Sequence, residues 1–557
     1  MKKLPIGTSD YQVLKQENDY YIDKTKNIIE FFNTSGRIVL MPRPRRFGKT
    51  LFQSTLYYFF SNQERDEEIF KDTYIYNTPF FKEHFGKYPV IFLTFKDARE
   101  NNFETMIENI KEIIKEEFEK YKNLDFSKID GLSAEKKIFE NIVNDKSTIV
   151  DLEKSIKILS TILTKYYKKP TIILIDEYDT PILTGWMKGF YTEIIEFFRN
   201  FFGAGLKDND RNLKKALITG IFKISGESLF SGLNNLTYLT ILENPLASSC
   251  GFTIDESKKL LKDYNFTDEE IQKSVDMYNG YIFGDDTTIL NPWSLLNYAD
   301  SRVFKAYWIN TSSNDFVFDL IKKAPTFRDE LDKIIKGEEV DIEINENLTF
   351  NNNSLYNTNN IFSFLFFGGY LKCKEKYIIE KYNGDEFRCK LVPTNKECRM
   401  IFEKVIIYYL EGSLNINLIK LLGYLTKGQI EDFELYLSDI LRDVVSYHDT
   451  RTENSYHMLM LGMLVSLYDY EVISNKEAGY GRVDIILLHK TDKTKPAIVM
   501  ELKTSKKSKE KRKKALKEAV NQIKEKEYIS YVKNRGYNNI IAFGLVFDGK
   551  RCWVREV

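Results

Sequence analysis

Three stretches of this 557-residue sequence combine residue types and spacings suited to phosphate chemistry. Residues 43–50 read RPRRFGKT. A loop of the form GxxxxGK(S/T) turns backbone N–H groups toward phosphates, sends its lysine to the β- and γ-phosphates and uses its hydroxyl to hold Mg²⁺. Gly48, Lys49 and Thr50 satisfy that pattern. Arg43 stands where the first glycine would be, between Pro42 and Pro44, so this loop must begin differently. Residues 171–177 read TIILIDE, an apolar run ending in Asp176, suited to the Mg²⁺ shell, and Glu177, suited to polarising an attacking water. The third stretch joins VDIILL (483–488) to AIVMELK (497–503). Asp484 and Glu501 there are metal-binding carboxylates and Lys503 a residue that orients water, the set a metal-dependent phosphodiesterase needs. Each stretch also has a plain structural reading: a chance loop, a strand cap, a salt bridge across one strand face.

Placing such groups requires strands that end where the chemistry begins. RIVLM at 37–41, VIFLTF at 90–95, TIILID at 171–176 and ALITGI at 216–221 read as buried parallel strands. Amphipathic segments at 103–121 and 152–167 lie between them, and strand–helix–strand order predicts an α/β core. Thr219 falls at the end of the last run, where it either contacts a γ-phosphate or is a satisfied buried threonine. From Thr253 the pattern turns helical and then broken. TIDESKKLLKDYNF opens on a cap and Pro292 falls in a first helical turn, which predicts a helical lid or extension. The Asn-rich stretch 345–360 predicts a boundary or exposed loop, or else an irregular strand. Beyond it come helices over 433–468, a β-hairpin, a basic helix and a closing strand NIIAFGLVF, a small separate α/β domain. In that hairpin Glu501 and Lys503 share one strand face and Leu502 takes the other, with Asp484 facing the same pocket.

Composition narrows the alternatives. Lys plus Arg and Asp plus Glu both number 81, so the net charge of +0 draws the chain to no polyanion globally, and any such attraction is local. The local feature is residues 503–517, where nine of fifteen are Lys or Arg against one acid, Glu510. This is either a phosphate-tracking surface with salt-dependent binding or a solvated helix start. Leu516, Ala519, Val520 and Ile523 form the stripe by which that helix packs. Five scattered cysteines without a CxxC predict reduced thiols in a cytoplasm, and no apolar run is long enough for a membrane span. Four histidines leave carboxylates and lysines as the chemical groups.

The sequence resembles the AAA-ATPase-like bacterial proteins that carry a C-terminal PD-(D/E)XK nuclease-like domain. The resemblance rests on YYIDKT (20–25), RPRRFGKT, LIDEYDTP (174–181), LITGIFKIS, LFSGLNNL (229–236), MYNGYIFG, NPWSLLNY and YWINTSSN, with the tail motifs. It implies a P-loop AAA-like parallel sheet with a helical extension, plus a smaller C-terminal PD-(D/E)XK α/β domain. The expected boundaries are 1–250 for the ATPase domain, 251–330 for the extension, 331–425 for a connecting region and 426–557 for the nuclease-like domain. ATP and Mg²⁺ are the expected cofactors, with Arg46, Phe47, Gly48, Lys49, Thr50, Asp176 and Thr219 at the nucleotide. Arg45 and Arg46 meet phosphate or a partner subunit, or else are solvated or salt-bridged. Glu453 on the preceding helix and Gln522 after the hairpin match positions that support the nuclease pocket of Asp484, Glu501 and Lys503. Arg482 stands ready for phosphate, and His457, one turn from Glu453, has a supporting role. The expected activity is an ATPase coupled to Mg²⁺-dependent cleavage of nucleic acid, DNA before RNA, in a protein without membrane contact and with possible homo-oligomers. The alternative is a regulatory ATPase whose tail binds nucleic acid or protein without cutting.

Overall fold

A computed structural model describes residues 1–224, 229–230, 235–308, 330, 333–334, 338–348, 350, 357–380, 385–402, 418–444, 453–464, 467, 469–478, 481–505 and 508–557. The chain divides into two compact units. One comprises Met1–Ser312 with Glu339–Cys398, the other Ser313–Glu338 with Arg399–Val557.

The first unit is built on β1 (Ile38–Pro42), β2 (Val90–Thr94), β3 (Thr171–Asp176), β4 (Leu213–Gly220) and β5 (Leu236–Tyr238), in the order β2-β3-β4-β1-β5. Every pairing is parallel. β1 and β3 are buried at every residue, as parallel strands covered on both faces must be, and this is why the four apolar runs could be read directly. The order sets β4 between the strand that feeds the RPRRFGKT loop and the strand that ends in Asp176. The strand ends therefore form one row, the crevice in which open α/β sheets bind ligands.

The region after Thr253 is helical, as expected, and its caps are the expected ones. Thr253 and Glu256 form a capping box on Ile254–Asp263, while Asn291 caps Pro292–Ser301 with the proline in its first turn. The broken part of the pattern is a small antiparallel sheet of β6 (Phe252–Thr253), β7 (Asn279–Phe283) and β8 (Thr287–Leu290), ordered β6-β8-β7. Another antiparallel sheet holds β9 (Val340–Glu343), β10 (Leu371–Ile379) and β11 (Glu386–Pro393), with an almost wholly buried helix at Thr358–Phe367. Asn345 lies inside this unit, its backbone N–H donating to Ser363 Oγ at 2.8 Å.

Residues 339–398 complete the first unit from behind the loop. Pro44 packs against Gly369, where a Cβ would come within 2.9 Å of the proline ring. Glu397, fully buried, accepts from the Trp308 N–H at 2.6 Å and from Ser294 Oγ at 2.8 Å.

The second unit is a mixed sheet of β12 (Tyr470–Ala478), β13 (Gly481–His489), β14 (Ala497–Thr504), β15 (Ile540–Asp548) and β16 (Arg551–Glu556), in sequential order. Only β14 and β15 run parallel. Alternation along β14 divides its two faces. Ile498, Met500 and Leu502 pack with the helices Leu418–Thr426, Ile430–Val444 and Glu453–Leu464. Ala497 and Val499 pack with the basic helix Lys509–Glu525 and the helix Tyr528–Lys533. The basic helix buries Ala515, Ala519, Val520 and Ile523. Leu516, expected in that stripe, is half-buried, and Ala515 is buried in its place. No helix among the described residues is long and apolar enough to cross a membrane.

Candidate functional sites

The loop after β1 begins with a buried arginine. Arg43 is fully buried, and its guanidinium donates to the carbonyls of Pro42 at 2.9 Å, Leu239 at 2.6 Å and Leu246 at 3.4 Å, over the Phe283 ring at 5.1 Å. Burial lowers its pKa to about 10. Arg43 therefore fastens the loop's first residue to the segments after β5, which is how the loop starts without a glycine. At its other end Gly48 has φ +88, a conformation that a Cβ disfavours, and the space where that Cβ would stand is empty to 4 Å. Arg46 is also left-handed, at φ +65.

The Lys49 side chain folds back into the loop, only 4% exposed, with Nζ donating to the carbonyls of Arg43 and Pro44 at 3.1 Å each. The helix Lys49–Phe60 starts here. Phe52 N donates to Gly48 O, so the first-turn N–H groups point out of the helix end toward the space in front of the loop. Phe47 contributes main chain only. Its ring is buried against Tyr281 and Phe283 at 4.8 and 5.6 Å, and its carbonyl accepts from Gly251. Arg46 is exposed, its guanidinium 4.5 Å above the Trp293 ring. The Arg45 carbonyl accepts from the Trp308 indole at 3.1 Å.

A chain of side chains links two strand ends to the helix Lys49–Phe60. Thr50 Oγ1 donates to Asp176 Oδ2 at 2.6 Å, and Thr219 Oγ1 donates to Asp176 Oδ1 at 2.5 Å. Gln53, one helical turn beyond Lys49, donates to Thr219 Oγ1 at 2.6 Å and to the Ile175 carbonyl at 3.0 Å. Asp176 is fully buried, and its pKa is raised by burial and then by Glu177, while Thr219, Thr50 and Lys49 pull it down. Thr219 is fully buried, and its hydroxyl is held between Asp176 and Gln53. Glu177 is half-buried with φ +51 and accepts from Thr180 Oγ1 at 3.3 Å.

The sequence reading missed Gln53, Arg43's anchoring role and the next two residues of LIDEYDTP. Asp179 accepts from the N–H groups of Ile221 and Phe222 at 2.7 and 3.0 Å, and burial pushes its pKa up to about 6. Tyr178 donates to the Phe222 carbonyl at 2.8 Å. Gly220 lies between them, and a Cβ there would be 2.7 Å from Asp179 Oδ1. The available signal was that two motif strings, LIDEYDTP and LITGIFKIS, needed a common reason, and that reason is their bonding to each other.

In the second unit the three residues of the D…ExK pattern meet. Glu501 is 1% exposed, and Lys503 Nζ donates to its Oε1 at 3.0 Å. Its Oε2 is buried and has no hydrogen-bond partner among the described residues. Burial first, then the Asp484 charge, raise the Glu501 pKa to about 7 against the pull of Lys503. Asp484 Oδ2 accepts from Leu502 N at 2.7 Å, and the Asp484 carbonyl accepts from His457 Nε2 at 3.0 Å. Gln522 bonds the buried phenol of Tyr528, and that phenol feels the charges of Glu501, Asp484 and Lys503, so both residues border the pocket. Tyr528 was not legible, since in YISYVK it reads as one more core residue. Glu453 opens the helix Glu453–Leu464 and Arg482 lies on β13, but their side chains, like residues 506–507 of the basic tract, are outside the described residues.

Both sites suit the groups expected in them. The unpartnered Glu501 Oε2 beside Asp484 is the acceptor a divalent cation would satisfy, and the open space beside Gly48 lies in front of Lys49 and Thr50. Among the described residues no cluster of three or more acids, histidines or cysteines is set to hold a metal.

Comparison with known proteins agrees with this division of chemistry. Residues 5–230 match the family model of a predicted AAA-ATPase, and residues 451–557 match that of the PD-(D/E)XK nuclease superfamily. An uncharacterized protein in the vnfD 5′ region of Azotobacter chroococcum mcd 1 is 26% identical over 343 residues, which are 60% of this chain. The chain spans 59% of that relative's length. With the loop and acidic strand of the one and the D…ExK pocket of the other, the chain carries an AAA-ATPase-like domain at residues 5–230 and a PD-(D/E)XK nuclease superfamily domain at residues 451–557.

Proposed function

We propose that the protein binds and hydrolyses ATP with Mg²⁺ in its first unit and thereby governs a Mg²⁺-dependent nuclease centre in its tail that acts on nucleic acid, DNA in preference to RNA. The nuclease half is carried by the buried, unpartnered oxygen of Glu501 beside Asp484 and Lys503. The ATPase half rests on the Thr50–Asp176 contact at the end of the RPRRFGKT loop.

Lys49 would leave the carbonyls of Arg43 and Pro44 for the β- and γ-phosphates, while the first-turn N–H groups face the phosphate oxygens. Thr50 and Asp176 would hold the cation, Thr219 and Gln53 keeping the aspartate aimed. Glu177 would orient the attacking water and draw on its proton. In the tail, Asp484 and Glu501 would hold a divalent cation and Lys503 would orient water, with Gln522 and Glu453 in support. Bound at either site, Mg²⁺ supplies positive charge against the phosphate oxygens. The protein would work in the cytoplasm, singly or as a homo-oligomer.

A second reading, a regulatory ATPase whose tail binds without cutting, draws on the two-carboxylate pocket, which has no third acid among the described residues. The test is Mg²⁺-dependent cleavage of labelled DNA and RNA by wild type, Glu501→Ala and Lys49→Ala, with and without ATP. Cleavage lost in Glu501→Ala, and altered by ATP only when Lys49 is present, supports the coupled nuclease. Absence of cleavage with ATP turnover intact favours the second reading.

A further inference from the structure

The edge strand β16 shows two different faces. Cys552 and Val554 turn toward the helix Ile430–Val444, and that helix also occupies the strand's outer main chain: Cys552 N donates to Ser438 Oγ at 3.1 Å and Val554 N to Glu434 Oε2 at 2.7 Å. An extended peptide therefore finds these N–H groups taken, which argues against strand addition here. Arg551, Trp553 and Arg555 alternate onto the other face. Arg551 and Arg555 are exposed, and the Arg512 guanidinium of the basic helix lies 4.2 Å from the centre of the half-buried Trp553 ring. Among the described residues none of the three arginines has an ion-pair partner. Lys509, one turn before Arg512, is exposed as well.

This face is the one that bears Glu501 and Lys503. Across the sheet Glu501 pairs with Gly544 and Gly544 with Arg555, while Lys503 pairs with Val546 and Val546 with Trp553. Each arginine or tryptophan so aligned lies two strands away, roughly 9.5 Å. The basic helix spans the same interval, with Arg512 over β16 and Gln522 beside the Glu501 pocket.

Resting on the nuclease reading above, we propose that Arg512 stacked on Trp553, flanked by Arg551, Arg555 and Lys509, is a platform that receives single-stranded nucleic acid beside the Glu501 pocket. The charge of the patch matches a phosphate backbone. The flat guanidinium–indole stack offers a surface to an unpaired base, and a duplex, with its bases already stacked, has no free base face to lay on it.

The test measures binding of the full chain in EDTA to labelled single-stranded DNA, single-stranded RNA and the matching DNA duplex by fluorescence anisotropy over a salt series. Wild type is expected to bind single strands more tightly than duplex. Trp553→Leu and Arg512→Gln should each weaken single-strand binding by about tenfold, the worth of one stacked base, while Trp553→Phe retains most of it. Arg551→Gln with Arg555→Gln should reduce the slope of log K against log salt by about 1.4. Arg512→Gln, at a half-buried helix position, keeps the aliphatic stem and removes only the guanidinium, so it supplies a second reading if Trp553→Leu folds poorly. Binding by wild type that none of these substitutions changes overturns the platform and leaves the nuclease reading intact, as does an equal loss for duplex and single strand. No nucleic-acid binding by wild type, together with no cleavage, overturns both.

Discussion

Thr219 and Asp176 are joined across two neighbouring strand ends by a 2.5 Å hydrogen bond, with the hydroxyl of β4 donating to the carboxylate of β3. Because β4 lies between β3 and β1, this contact is the middle link between the acidic strand and the helix that carries Thr50 and Gln53. Thr219→Val keeps the shape and removes the donor. It should cost about 1–3 kcal/mol of stability, the usual penalty for a buried polar partner left unpaired. The same loss raises the Asp176 pKa further, so the acid limb of the ATPase pH profile should move to higher pH. Denaturant melts and ATPase rates between pH 5 and 8 check both.

Restoring the missing first glycine should harm the protein. Arg43→Gly brings the loop to GxxxxGKT but removes the donors to Pro42, Leu239 and Leu246. Hydrogen bonds from a charged donor are worth about 1.5–3 kcal/mol each, so a loss of at least roughly 2 kcal/mol is expected, with weaker nucleotide binding. Thermal unfolding with and without nucleotide reads both effects, and a variant as stable as wild type would refute the anchoring role.

Lys49→Ala should weaken both nucleotide binding and stability. Among the described residues its buried ammonium donates to the carbonyls of Arg43 and Pro44, so the melting temperature should fall, each such charged-donor bond being worth about 1.5–3 kcal/mol. Nucleotide affinity should fall by at least about tenfold, the scale of one charge-assisted contact. Titration calorimetry against an ATP analogue gives the answer.

The Glu501 pKa of about 7 fixes the sign of two pH effects. A carboxyl whose folded pKa exceeds its unfolded value contributes stability below the unfolded pKa, near 4.5, and loses it as pH rises through about 7. Metal-free protein should therefore be less stable at pH 8 than at pH 5 by a margin that Glu501→Gln abolishes. Divalent-metal affinity should run the other way, climbing by up to about tenfold per pH unit until it levels above 7, because the metal displaces the proton. Urea melts and calorimetry at three pH values measure the pair, and a flat metal affinity would remove Glu501 from the metal site.

What could be read in the sequence follows from which interactions are local. β1 to β4 announced themselves because covered parallel strands must be apolar throughout. β12 and β16 did not, since both are sheet edges and YEVISNKEA and RCWVRE alternate charge with apolar residues. β5 is another edge strand, of only three residues. Lys49, Thr50, Asp176 and Glu501 were legible because their spacing is fixed by one turn or one strand. Gln53, Asp179 and Tyr528 were not, because each acquires its role from a partner brought near only by the fold. Arg43 looked like a departure from a motif, and two of the three carbonyls that explain it lie about two hundred residues away.

The first unit is assembled from two separated pieces of chain, and that has a consequence for its birth on the ribosome. When Ser312 emerges, the loop at Pro44 still lacks Gly369, and Trp308 still lacks the buried carboxylate of Glu397. At about 5–20 residues per second, synthesis needs several more seconds to deliver Cys398. The nucleotide loop thus matures only after the intervening segment, Ser313–Glu338, has already been made and set aside for a unit whose remainder does not yet exist. A nascent chain of this protein holds its AAA-ATPase-like domain half-built for that interval, the stage at which a chaperone would most influence its fate.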